Sequence, residues 1–250
     1  MNIEIALPEP SKSYPQDEEW CLARIEGEWR EMRFHDYSEI YEVEGLYERL
    51  FYDVLRCDSP ATIRGMLETE IAEAGVPASD LRVLDLGAGN GLVGAELSDL
   101  GADHIVGVDI LPEAAEAAER DHPEVYDAYH VMDLTDLDAS EREELSGHDF
   151  NCLTCVAALG FGDIPPEAFR AAYNVVEPGG WVAFNLKEDF MNGHDRSGFS
   201  ELISRGTDEG IIEIRSQQRY QHRVSTTGDP LHYIGVIASK REDIPAGLIG

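Results

Sequence analysis

The run Val83-Leu84-Asp85-Leu86-Gly87-Ala88-Gly89-Asn90-Gly91, followed by Gly107-Val108-Asp109-Ile110, constrains this chain more than any other stretch. Arg82 to Leu86 reads as a short buried strand, Leu92 to Leu100 as a helix, and His104 to Ile110 as a second strand that ends on an acid. Glycines turn the chain tightly between the first strand and the helix. A strand, a glycine-rich turn, a helix and a carboxylate-terminated strand together suit a nucleoside. The glycines let backbone approach a ligand. The helix amino terminus offers unpaired N–H groups to a carboxylate or phosphate. Asp109 can accept hydrogen bonds from two ribose hydroxyls.

Asp85 selects among nucleosides. Dinucleotide-binding turns usually carry glycine where the strand ends, because a pyrophosphate must sit there. Here an acid stands two residues before the first glycine, in the pattern Asp-x-Gly-x-Gly-x-Gly. A carboxylate at that point suits a cationic amine and repels phosphates. The pattern resembles motif I of the class I S-adenosylmethionine-dependent methyltransferases. The resemblance implies S-adenosyl-L-methionine as cofactor, with Asp85 orienting its methionine end, Asp109 holding its ribose and Ile110 among the cofactor-binding residues. Gly87, Ala88, Gly89, Asn90 and Gly91 would form the cofactor turn. Gly89-Asn90-Gly91-Leu92-Val93-Gly94 also fits Gly-x-Gly-x-x-Gly, so an NAD(P)-dependent oxidoreductase stays as an alternative, as does a cofactor-binding protein without turnover.

The charge is extreme: 50 acids face 19 bases, for a formal net charge of −31. The lysines are Lys12, Lys187 and Lys240, and the other bases are arginines. This acid-rich, lysine-poor balance resembles proteins from salt-accumulating halophiles, in which dense salt screens self-repulsion. It argues against a nucleic-acid substrate, which requires a basic patch. No apolar run is long enough to span a bilayer, and Met1 to Pro10 carries acids where a signal peptide has bases. The expectation is a cytoplasmic protein that does not engage membrane. Cys152 and Cys155 have the spacing of a zinc or redox pair, but they fall inside an apolar run that reads as a strand, so they are read as core residues and no metal site is expected.

Along the chain, residues 1–16 read as a mobile tail, 17–80 as a helical cap over one end of the sheet, and 81–250 as the core of a single globular unit. In the cap, Ile40, Tyr47, Leu50, Phe51 and Val54 fall on one helical face, with Gly45 as a break. Ile63, Leu67 and Ile71 form a second stripe that Gly75 ends. From Leu81 strands near 82–86, 104–110, 126–133, 149–157 and 181–187 alternate with helices near 91–100, 112–120, 138–146 and 166–176. That alternation predicts a mostly parallel sheet. Ile211 to Arg219 alternates like an exposed edge strand, and Leu231 to Ser239 is apolar on both faces like a central one. The fold class is therefore α/β. The family resemblance makes it a Rossmann-like, seven-stranded, mostly parallel sheet whose last strand inserts antiparallel.

The same resemblance places Asp133 and Leu134 beside the adenine and Cys155, Val156 and Ala157 beside the methionine group. Tyr37 and Tyr41 sit in an element similar to one that closes the pocket of small-molecule methyltransferases. Lys187 and His194 lie where an acceptor meets the sulfonium. No catalytic residue is named, because the activated leaving group lies on the cofactor and positioning carries much of the work. The fourth strand lacks the Asn/Asp-Pro-Pro-Tyr/Phe tetrapeptide that grips an amide or exocyclic amine. The expectation is methyl transfer to a small-molecule acceptor, with a protein or RNA methyltransferase as the alternative within the class. The glycine motif, the tyrosine element and the Val176–Asp189 segment also resemble the methyltransferase-like proteins of the Williams–Beuren region.

Overall fold

The structure, a computed structural model, describes residues 3–9, 14–159, 163–188 and 198–248. Its amino-terminal part differs from the sequence expectation. Ile5–Ala6 (β1), Trp20–Ile25 (β2) and Glu28–Arg33 (β3) form a three-stranded antiparallel sheet where helix was expected from residue 17. Glu26 and Gly27 both take positive φ, at 53° and 90°, which makes the tight turn a hairpin needs. On β2, Cys21 and Ala23 are buried while their neighbours are not, a period of two. Residues 1–16 are likewise not simply a tail. Ile3 is buried, Ile5 pairs with Ala23, and the Gln16 amide donates to the Tyr233 hydroxyl at 2.8 Å.

The helices that follow match expectation more closely. Tyr37–Glu42 (α1) and Leu46–Glu48 (α2) are separated by Gly45 at φ 73°, and α2 continues as a π-helical turn through Arg49–Val54. With the hairpin they bury Cys21, Met32, Phe34, Ile40, Leu46, Leu50 and Leu55 in a cluster of their own. A buried ion pair joins this part to the sheet: Arg223 Nη2 donates to Glu19 Oε2 at 2.6 Å, and Glu19 Oε1 accepts the Thr226 N–H.

Ser59–Ala74 (α3) corrects a second expectation. It does not cap an end of the sheet but lies against its face beside Leu92–Leu100 (α4). Ile63, Met66, Leu67 and Ile71 meet Val83, Leu97, Ala183 and Ile237 there. Gly235 makes room, since a Cβ at that position would lie 2.8 Å from Met66 Sδ.

The main sheet contains Arg82–Leu86 (β4), His104–Asp109 (β5), Ala128–Val131 (β6), Cys152–Cys155 (β7), Trp181–Lys187 (β8), Ile212–Val224 (β9) and Pro230–Lys240 (β10). Its order is β6-β5-β4-β7-β8-β10-β9. All neighbours from β6 to β8 pair in parallel, while β10 runs antiparallel to both β8 and β9. This is the expected Rossmann-like arrangement with an inserted antiparallel strand. Pro112–Asp121 (α5), Ala139–Ser146 (α6), Pro166–Val175 (α7) and Phe199–Asp208 (α8) complete the layers. Leu84, Phe169, Tyr173, Phe184, Phe199 and Leu202 fill the face opposite α3. The sequence pattern predicts no helix at α8. Cys152 and Cys155 are both buried in β7. No helix among the described residues is long and apolar enough to cross a membrane.

Candidate cofactor and acceptor site

A cavity of about 540 Å³ opens at the carboxyl ends of β4, β5 and β7, the end where open α/β sheets bind ligands. Its floor is Leu86, Gly87, Val108, Asp109 and Ile110. One wall is Met132, Asp133 and Leu134, another is Val156, Ala157 and Ala158, and α1 and α2 cover it with Tyr37, Tyr41 and Tyr47. Local chain geometry explains these placements. Gly87, Gly89 and Gly91 all take positive φ, at 69°, 55° and 95°, which glycine alone adopts without strain. A Cβ on Gly87 would come within 2.8 Å of Ile164 Cδ1, and one on Gly89 within 2.5 Å of the Tyr41 hydroxyl. Gly94 serves a different purpose. A Cβ there would meet Tyr126 at 2.6 Å, so this glycine makes space for an aromatic ring.

Asp109 lies at the heart of the site. Its Oδ2 accepts the Gly89 N–H at 3.0 Å and its Oδ1 accepts the Leu111 N–H at 3.0 Å, so the acid and the glycine turn fix each other. Burial raises its carboxyl above the usual range, and the backbone donors oppose that rise. Ile110 is 58% exposed beside it, an unusual position for a large apolar side chain and a fitting one for the face of a base. Leu134 adds apolar wall. Asp133 lines the same wall, and Thr135 donates to it from both its backbone N–H and its hydroxyl, which lowers its pKa.

Several expected contacts are placed elsewhere. Asp85 is buried beneath the turn and does not line the cavity. Its two oxygens accept from Thr154 Oγ1 at 2.7 Å and Tyr126 Oη at 2.8 Å, and burial pushes its pKa up to about 7. Both oxygens are thus engaged by side chains beneath the turn. Asn90 is also buried. Its amide donates to Glu48 Oε1, which His122 Nε2 meets at 2.9 Å, tying the turn to α2 and α5. Cys155 is fully buried and the wall begins one residue later, because successive strand residues face opposite sides. Lys187 ends β8 and does not line the cavity. Ala88, Gly89 and Gly91 stand in the turn without lining the cavity, and His194 lies outside the described residues.

Tyr37, Tyr41 and Tyr47 line the cavity together. Tyr37 and Tyr41 stack with ring centroids 6.1 Å apart, and Tyr47 lies 5.1 Å from Tyr41. Burial pushes all three phenols up, so they present neutral rings and hydroxyls. Opposite them Ala157 takes φ 58°, and its N–H donates to Asn185 Oδ1 at 2.7 Å. Asn185 is itself fixed by Ser59 and Tyr220. His35 and Asp163, 128 residues apart, also meet at this cavity, His35 Nδ1 lying 3.2 Å from Asp163 Oδ2. Neither was singled out from the sequence, since a pair so distant leaves no local pattern.

A family profile described as a methyltransferase domain matches residues 58–223. The chain belongs to this methyltransferase domain family. Family membership points to S-adenosyl-L-methionine as the cofactor, and the residues present fit it. Gly87, which leaves no room for a Cβ, the cavity-lining acid Asp109 and the exposed apolar Ile110 are the features such a nucleoside needs. The chain is similar to the ubiquinone biosynthesis O-methyltransferase of Burkholderia ambifaria (strain MC40-6), with 30% identity over 158 residues, 54% of this chain and 66% of that one. It spans about 43–66% of the length of the curated relatives of this name from Paraburkholderia phymatum and B. ambifaria. Its fold is shared with an S-adenosylmethionine-dependent methyltransferase from Clostridium acetobutylicum ATCC 824, at TM-score 0.53 and 13% identity over 78% of this chain and 96% of that one. It is shared also with magnesium protoporphyrin IX methyltransferase from Synechocystis PCC 6803, solved with bound S-adenosylmethionine, at TM-score 0.51 and 14% identity over 72% and 79%.

Proposed function

We propose that this methyltransferase transfers a methyl group from S-adenosylmethionine to a small-molecule acceptor. The observation that carries the reading is the continuity of the cavity: it runs from Asp109, Ile110 and Leu134 to the tyrosine cover and the His35–Asp163 pair. Cofactor and a compact acceptor can therefore share one continuous space. Asp109 would hold the ribose hydroxyls, Ile110 and Leu134 the adenine, and Gly87 and Ala157 backbone the methionine portion. S-adenosylmethionine supplies a sulfonium-activated methyl group. The ring faces of Tyr37, Tyr41 and Tyr47 suit a sulfonium cation and exclude water from it. Buried and un-ionised, these tyrosines position rather than take protons. The name of the similar O-methyltransferases supports an oxygen acceptor. The net charge of −31 disfavours RNA.

Calorimetry with S-adenosylhomocysteine and with NAD tests the cofactor. Binding of the first and not the second is expected, and NAD binding alone rejects the reading. Incubating a cell extract with the protein and methyl-labelled S-adenosylmethionine tests the acceptor. Label is expected in the small-molecule fraction; label confined to protein or RNA rejects a small acceptor.

A further inference from the structure

We propose that Asn185 is a positioning residue for the cofactor: through the Ala157 backbone it sets the cavity wall against which the methionine portion lies. The inference rests on the methyl-transfer reading above and names what holds that wall in place.

Ala157 has an unusual conformation. Its φ of 58° lies in the left-handed region, where the Cβ of an L-residue crowds its own backbone. The other non-glycine positions at positive φ among the described residues are Glu26, Arg56, Glu124 and Asp149. All of these are exposed, and none lines the cavity. Ala157 is thus the strained position that faces the site. Such a conformation persists only where the surrounding structure enforces it, and it gathers where ligands are held. The wall it builds packs on the glycine turn. Ala158 Cβ lies 3.0 Å from the place a Cβ on Gly87 would take, so a shift in the wall changes the space between the two.

Asn185 supplies the enforcement. It stands in β8, fully buried, and its Oδ1 accepts the Ala157 N–H at 2.7 Å. That bond fixes which way the amide faces, because only its oxygen accepts. The Nδ2 group then points at two hydroxyls, Ser59 Oγ at 3.1 Å and Tyr220 Oη at 2.5 Å. Those hydroxyls lie 2.7 Å apart, and Ser59 Oγ meets His222 Nδ1 at 2.6 Å. Ser59 opens α3, while Tyr220 and His222 belong to β9. The amide is therefore gripped from a helix and from the far edge of the sheet.

All members of this network are neutral. Burial raises the Tyr220 phenol and holds the His222 ring uncharged. An amide alone both accepts from Ala157 and donates to the two hydroxyls without burying a charge. Asn185, Ser59 and Tyr220 do not line the cavity, so their influence on a ligand passes through the Ala157 main chain.

Calorimetry with two ligands tests this. S-adenosylhomocysteine carries the amino-acid end of the cofactor, and 5′-methylthioadenosine lacks it. Asn185→Leu is expected to weaken S-adenosylhomocysteine binding about tenfold and to leave 5′-methylthioadenosine within about twofold. Glycine adopts φ 58° without strain. In an Ala157→Gly background, Asn185→Leu should therefore weaken S-adenosylhomocysteine no more than about threefold, while the melting temperature falls equally in both backgrounds. If Asn185→Leu does not fold, Tyr220→Phe decides the matter: it strips one anchor from the amide and should show the same pattern with smaller losses. Equal losses for both ligands, or equal losses in both backgrounds, mark a merely structural residue and overturn the proposal. Unchanged S-adenosylhomocysteine affinity in the variants overturns it as well and leaves the cofactor reading standing. A wild type that binds no S-adenosylhomocysteine overturns both.

Discussion

The Tyr41 hydroxyl lies 2.5 Å from the point a Cβ on Gly89 would occupy. One residue covers the cavity from α1 and the other forms its floor turn, so the cover closes directly onto the motif. Arg120 fastens this contact from below by donating to the Tyr41 carbonyl at 3.1 Å.

Gly89→Ala is therefore expected to weaken S-adenosylhomocysteine binding for two reasons. An L-residue at φ 55° costs about 1–2 kcal/mol, and the new methyl group displaces Tyr41. Tyr41→Phe removes the atom that clashes. In the Gly89→Ala background it should restore part of the affinity, whereas alone it should restore nothing. A double-mutant cycle by calorimetry measures this coupling; strictly additive effects would show that the two residues do not meet.

Asp109→Ala should weaken cofactor binding by roughly 2–4 kcal/mol, taking about 1.5–3 kcal/mol for each hydrogen bond to a charged group and allowing partial replacement by water. The structure adds a consequence for the protein alone. The Gly89 and Leu111 N–H groups lose their acceptor, so the melting temperature should also fall without any ligand. Unchanged affinity in a folded variant would remove Asp109 from the site.

Asp85 predicts a pH signature. Its folded-state pKa of about 7 stands above the 3.8 of a free side chain. Between those values the folded chain keeps a proton that the unfolded chain gives up. Its contribution is thus present in full at acid pH and lost as pH rises through about 7. Asp85→Asn carries no such proton. Relative to wild type, the variant should gain stability steadily from about pH 4 to about pH 7 and level off above that. Thermal melts across that range check this, and a constant difference between the two proteins would mean that the group does not titrate there.

The charge of −31 predicts a salt response. Surface repulsion is weakly screened in dilute buffer, where the Debye length is about 30 Å at 0.01 M, and strongly screened at about 3 Å in 1 M salt. The melting temperature should rise steeply with potassium chloride up to molar concentration. A rise that saturates at modest ionic strength indicates an ordinary acidic protein, and a flat or falling series rejects the halophile reading.

The strands and helices of the sheet layer were legible because each carries its own signal. β4, β5 and β8 are short apolar runs, and the glycine turn, Pro112 and Pro166 mark helix starts. The β2–β3 hairpin was not legible. Glu28–Arg33 is almost entirely exposed and charged, so its alternation has no apolar face to show. Its strand character comes from pairing with β2, which itself buries only Cys21 and Ala23 against the helices that follow.

The same division runs through the site. Asp109 and the glycines stand within one local strand-turn-helix-strand unit, and chain geometry over a few residues dictates their placement, so the sequence by itself determined them. Asp85 was found in the sequence, but its depth was not: only the packing of Tyr126 and Thr154 over it, with Gly94 leaving space for the Tyr126 ring, turns a motif acid into a buried support. His35, Asp163 and Gln16 line one small recess only through tertiary structure. Hydrogen bonds such as that between His35 and Asp163 join residues whose separation along the chain carries no period and no spacing rule. Burial and long-range contact are properties of the folded surface, and a single chain read in order contains neither.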